Sequence, residues 1–166
     1  LKYKDHSRLK SCLESSHLTS SFNRDVIYSI EDFETNIAFD KGTFVFQNST
    51  NRIGRIRSID ENDVIVDFAG QGSRLSTNMA FKSLQALDRS HIWVLKSVLP
   101  RERLTEKVAE DIPWTLMTVM RSFDGKINLK ELKAEIVPSI LAPRQWTSWL
   151  SKAKKELMTN PLFDLS

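Results

Sequence analysis

Two groups of basic side chains have the types and spacing to do chemistry in this sequence, and that chemistry is the holding of anions. Arg55 and Arg57 flank Ile56. In an extended strand successive side chains alternate between faces, so both guanidinium groups stand opposite the isoleucine. With Arg52 and Arg74 they are expected to form a basic rim suited to phosphate or to an acidic protein surface, because each guanidinium offers a planar fork of donors. The plainer reading of these four residues is scattered solubilising charge. Arg144, Lys152, Lys154 and Lys155 form the second group, on a helical segment between Pro143 and Met158. That face could contact DNA or RNA, or be the ordinary solvated side of a terminal helix.

Bond-making chemistry has weaker support. Cys12 is the single cysteine, which excludes an internal disulfide, and beside Leu9 and Leu13 it reads as a small buried hydrophobe. His91 stands alone at the start of an apolar run, where a structural or surface role outweighs metal ligation. Glu31, Asp32 and Glu34 have no histidine or metal-ligand grouping beside them and read as a solvated acidic face. Gly70 and Gly72 are not a phosphate-binding loop, since no Lys-Ser or Lys-Thr follows. The expectation is a non-catalytic chain with no cofactor, metal or small-molecule substrate.

Composition sets the bounds. At 166 residues, 40 % hydrophobic and 27 % charged, the chain has room for one to three compact units of an ordinary soluble type. No apolar run approaches the roughly 20 residues of a membrane span, and no secretory signal is visible, so a cytoplasmic location with no membrane partner is expected. The chain begins Leu1-Lys2-Tyr3 without methionine, as an excised piece of a longer protein would. The net charge of +3 is uneven: −2 over residues 1–40, +3 over 41–97 and +2 over 98–166. This mild excess permits a polyanionic partner without demanding one.

The elements that position these residues follow from pattern. Phe44-Val45-Phe46, Gly54 to Arg57, Val64 to Phe68 and His91 to Val94 are short strand-like runs separated by turn residues at 48–51, 60–63 and 70–72. Closing such strands into a barrel removes exposed edges. The expected class is α+β: a helical lead-in over 1–38, a small SH3-like or Tudor-like β-barrel over 39–97, and a helical domain over 98–166. In the lead-in Asn23 would cap a helix whose stripe is Val26, Ile27, Ile30, Phe33 and Ile37. Gly54 marks a bulge or a close backbone approach, Met79 to Leu84 a helical turn plugging the barrel, and Ile92 to Lys96 its closing strand. Further on, Pro113 opens one helix, Asn128 and Glu131 form a capping box for the next, and Trp146, Trp149, Leu150, Ala153 and Leu157 are the buried stripe of the last. That order suggests a winged-helix or helix-turn-helix arrangement with residues 143–158 in the recognition position. Trp146 and Trp149 are expected as core or interface anchors rather than base-stacking platforms.

An ordered series of short motifs resembles a known family. It runs from Phe39-Asp40-Lys41-Gly42 through Ile53-Gly54-Arg55-Ile56, Val66-Asp67-Phe68, Met79-Ala80 and His91 to Lys96, then Trp146-Thr147-Ser148-Trp149, Lys154 to Leu157 and Asn160-Pro161-Leu162-Phe163. The series, covering about Phe33 to Phe163, is similar to the amino-terminal extension of long Gre-type transcription elongation factors of spirochaetes and chlamydiae. Gre factors send a coiled coil with an acidic, metal-holding tip into the secondary channel of RNA polymerase, and no such coiled coil lies in this chain. The resemblance therefore implies an accessory part that docks on RNA polymerase or on nucleic acid, with the chemistry elsewhere in the full protein. The alternative is a protein-interaction module with no nucleic-acid contact.

Overall fold

Alternation of apolar and polar residues draws Val45, Ile56, Val64, Val66 and Phe68 to one face of a five-stranded antiparallel sheet, where all five are buried. The computed structural model describes residues 3–18 and 25–160. Contacts group the chain into two units, residues 1–87 and residues 88–166.

In the first unit, α1 (Leu9–Ser15) and α2 (Val26–Ala38) precede β1 (Phe44–Gln47), β2 (Arg52–Ile59), β3 (Asp63–Phe68) and β4 (Gln71–Ser76). A short helix, α3 (Thr77–Ser83), then leads into β5 (Leu84–Leu87). The strands lie in the order β4-β3-β2-β1-β5. A bulge between Ile56 and Ser58 makes Arg57 the extra residue in the β2–β3 ladder. Phe39, Ala80 and Leu84 complete the core against the inner face of the sheet.

Several expectations are corrected here. The closed barrel is not observed, because β4 pairs only with β3 and β5 only with β1, leaving the sheet open. The expected closing strand from Ile92 to Lys96 is helical and belongs to the second unit. The pairing partner of β1 is instead β5, which follows directly from the helical turn at Met79. Ser73-Arg74-Leu75 lies inside β4, a strand the sequence pattern had not marked. Asn23 lies outside the described residues, and the α2 cap is Asp25, whose carboxylate accepts from the Ile27 amide at 3.0 Å. The expected α2 stripe is buried only toward its end: Ile37 is in the core, whereas Val26 and Ile27 are 66 and 65 % exposed. Cys12 is fully buried as expected, and burial pushes its thiol pKa up, away from the reactive thiolate.

The second unit holds α4 (Ile92–Val98), α5 (Arg101–Glu110), α6 (Ile112–Ser122), α7 (Leu129–Ile136) and α8 (Trp146–Thr159), the last preceded by a 3₁₀ turn at Pro143–Gln145. Side-chain caps set the starts of α4, α6 and α7. Asp111 caps α6 by accepting from the Trp114 amide, with a proline in the first turn. Asn128 and Glu131 form the expected capping box on α7. Leu104, Val108, Leu116, Val119, Ile136 and Leu141 fill the core with the two tryptophans of α8.

Candidate functional site

The four arginines of the expected rim do not form one array. Arg52 has the strand parity of Gly54 and Ile56 and is half-buried. Its guanidinium lies 5.1 Å from the centre of the Phe68 ring and donates to the Phe68 carbonyl at 3.0 Å. Arg55, Arg57 and Arg74 occupy the opposite, outer face, together with Asp63, Ile65 and Asp67. Two of these three forks are already engaged. Arg57 donates to Asp67 through Nε at 3.0 Å and through Nη2, and Arg74 pairs with Asp63.

Those pairs are solvent-facing and stabilise the fold little, so their weight is positional. The Arg57 hydrogen bonds hold the Asp67 carboxyl below the usual carboxylate range, helped by the Gly70 amide on its other oxygen at 2.7 Å. Arg55 is arranged differently. Its Nε donates to the Gly42 carbonyl at 3.2 Å and its guanidinium stands 5.7 Å from the Phe44 ring centre, with no ion pair among the described residues. Lys41, Gly42, Arg55, Arg57 and Asp67 line a cleft of about 310 Å³ at this point. Lys41, Gly42 and Asp67 were not anticipated as neighbours of Arg55. The Asp40-Lys41-Gly42 motif stood out in the sequence, but neither its turn nor the bulge that sets the β2–β3 register did.

The second basic group stands on α8. Trp146 and Trp149 are buried, as expected, and stacked with centroids 5.5 Å apart. Trp149 Nε1 donates to the Val108 carbonyl at 2.8 Å. With that side fixed to the core, Arg144, Ser148 and Lys152 follow one another at four-residue spacing, with Lys155 three further on, along one exposed stripe. Lys154 projects from the adjoining exposed face, with Thr147 and Ser151. None of the four cations makes an ion pair among the described residues. Arg144, Gln145, Ser148 and Lys152 edge a cleft of about 420 Å³ whose apolar wall includes Leu141 and Trp149. Gln145 and Ser148 had no expected role, although their spacing from Arg144 and Lys152 pointed to this stripe.

His91 has the structural role expected of it. Nδ1 caps α4 by accepting from the Trp93 amide at 3.1 Å, and the ring packs on Trp93 and Phe123. Lys96 and Trp93 Nε1 meet on Glu135 at 2.8 and 3.0 Å. Burial pushes the His91 pKa below its ordinary 6.5, against the opposing pull of a Ser122 backbone hydrogen bond, Glu135 and Asp88. A depressed histidine leaves the unfolded chain to take up the proton first, so its stabilising contribution is complete above the unfolded value and is lost as pH falls. Stability is therefore expected to fall as pH drops below about 6.5. A His91→Asn variant, which keeps a capping acceptor, should flatten that part of a urea-midpoint profile against pH. An unchanged slope would place the acid sensitivity elsewhere. Among the described residues no three His, Cys, Asp or Glu side chains gather to hold a metal ion, and no helix is long and apolar enough to cross a membrane.

Comparison with known proteins now bears on both units. Residues 93–166 match the family model described as the GRAD helix-turn-helix domain, which takes in α8 and nearly all of the helical unit. Over 157 residues the chain is 43 % identical to a GreA-associated domains protein of Treponema pallidum, covering 94 % of this chain and 24 % of that protein. Over nearly its whole length the chain is similar to this Gre-associated protein. It is also 35 % identical over 163 residues to transcription elongation factor GreA of Borreliella burgdorferi, covering 98 % of this chain and 18 % of that factor. A GreA of Chlamydia pneumoniae is 25 % identical over 138 residues. The chain thus spans a quarter or less of the length of these relatives. No solved structure matches it.

Proposed function

We propose that this chain is a non-catalytic accessory segment of a Gre-type transcription elongation factor, acting in the cytoplasm, that docks on RNA polymerase and on nucleic acid. The observation that carries the reading is the basic face of α8, which has no ion pair among the described residues, lies within a helix-turn-helix domain and is held outward by two buried tryptophans. A helix-turn-helix reads nucleic acid through residues near the start of its second helix, and Arg144, Gln145 and Ser148 stand at that end of α8. The kinship with GreA supports the polymerase as the larger partner. The sheet, open and packed on a small core, is read as an SH3-like docking module for that partner.

Phosphate contact has a salt signature, because each neutralised phosphate releases condensed counterions. Replacing Lys152, Lys154 and Lys155 together by alanine should flatten the log–log salt slope for a short DNA duplex by about 2 to 3, at roughly 0.9 per lost contact. The measurement is fluorescence anisotropy across a salt series, and a wild-type affinity that ignores salt would sink the phosphate mechanism.

A second reading, an assembly module with no nucleic-acid contact, draws on the mixed charges of the outer sheet face, where Asp63 and Asp67 alternate with arginines. Polymerase captured by the chain after nuclease treatment, combined with no duplex binding at low salt, would favour it.

A further inference from the structure

We infer that the cleft between Lys41 and Arg55 takes a carboxylate of a partner polypeptide, an aspartate or glutamate side chain, and not a nucleic-acid phosphate backbone. The inference deepens the docking reading above and rests on it only for the existence of a protein partner.

The wall of the cleft is fixed by the backbone. The Gly42 amide donates to the Ile56 carbonyl at 2.8 Å and the Ile56 amide donates to the Thr43 carbonyl at 2.9 Å, pinning the turn before β1 onto β2. Gly42 has φ of +89°, and a Cβ there would stand 3.3 Å from Nη2 of Arg55. The guanidinium therefore rests directly on the glycine, with Nε spent on the Gly42 carbonyl and one face turned to the Phe44 ring. A guanidinium held in this way leaves its terminal nitrogens as donors, already oriented, for a planar two-oxygen acceptor.

Charge then selects the ligand. Asp67 is satisfied on both oxygens, by Arg57 and by the Gly70 amide, so among the described residues the charge still unanswered in the cleft is that of Lys41 and Arg55. One carboxylate fills the open Arg55 fork with Lys41 at its side. A phosphate backbone would instead run on across the outer face, where the Arg57 and Arg74 forks are already engaged by Asp67 and Asp63 and are not open to a second and third phosphate. The half-exposed Ile65 between those aspartates offers an apolar contact that suits a protein surface.

The test is a titration of the ¹⁵N-labelled 166-residue chain, followed by NMR, with a glutamate-rich peptide and separately with a short DNA duplex. The peptide should move the Gly42 amide and Arg55 Nε–H signals. Arg55→Ala should weaken that binding about tenfold, while Arg55→Lys, which keeps the charge and loses the fork, should recover part of it. Arg55 is exposed, so neither variant threatens the fold, and amide dispersion verifies it. Signals unmoved by the peptide at millimolar concentration, peptide binding as tight in Arg55→Ala as in the parent, or a duplex that moves Gly42 and Arg55 would each overturn the inference. Duplex-induced shifts on α8 report separately on the nucleic-acid reading, so the two can fail independently.

Discussion

Replacing Trp149 by alanine should destabilise the helical unit by about 4 kcal/mol, the usual cost of emptying a large aromatic site in a packed core. The indole is almost fully buried, stacks on Trp146 and donates to the Val108 carbonyl at 2.8 Å. The substitution therefore removes apolar contact and leaves a buried acceptor short of a donor. Trp149→Phe separates the two effects: it keeps most of the ring and loses the N–H, and should cost about 1 to 3 kcal/mol. Urea unfolding followed by far-ultraviolet circular dichroism gives both numbers. A midpoint unmoved by Trp149→Ala would mean that α8 is not anchored through this residue. Because the same anchor turns Arg144 and Lys152 outward, the alanine variant should also lose duplex binding, an effect of position and not of charge.

Gly54→Ala should be nearly as costly, about 3 kcal/mol, through overpacking. A Cβ at this position would lie 2.6 Å from Cγ1 of Val66 and 2.7 Å from Cδ1 and Cε1 of Phe68. Those distances are far below ordinary contact, and both neighbours are themselves buried, so neither can swing aside. The glycine is needed for space, since its side of β2 faces the core where the Val66 and Phe68 side chains of β3 lie against it. Trimming the obstacle offers a check. Val66→Ala alone leaves a cavity and Gly54→Ala alone a clash, so the double variant should be more stable than the sum of the two predicts. Strict additivity in the measured unfolding free energies would show that the two sites do not meet.

Much of this arrangement was legible from residue pattern, and the failures have physical causes. The alternation of Val64, Val66 and Phe68 placed β3, and Asn128 with Glu131 placed the start of α7, because both signals are local and strong. The apolar run Ile92-Trp93-Val94-Leu95 was misread as a strand because so short a run has no diagnostic period. Its helical state is decided by the cap at His91, and the Asp88–Ser90 turn stands just before it. β4 escaped notice because it is an edge strand of largely polar residues, paired on one side only. The α2 stripe had the right period, but Val26 and Ile27 are exposed all the same, since periodicity says what a helix could bury and not whether something covers it. At the candidate sites, the outward direction of Arg55 and Arg57 followed from alternation. Which arginine was engaged depended on the bulge at Arg57 and on partners about ten residues away in sequence, and neither is visible without the register.

Arg8 has a practical consequence. Its guanidinium donates to the carbonyls of Asn36 and Phe39 at 3.1 and 2.7 Å and stands over the Phe81 ring, so this early residue ties off the end of α2 where the chain enters the sheet. Without it the Asn36 carbonyl keeps, among the described residues, only the Phe39 amide, at 3.4 Å, and the Phe39 carbonyl loses this donor beside a buried ring. Anyone trimming this polypeptide to isolate its sheet should therefore cut upstream of Arg8, even though the strands themselves do not begin until Phe44.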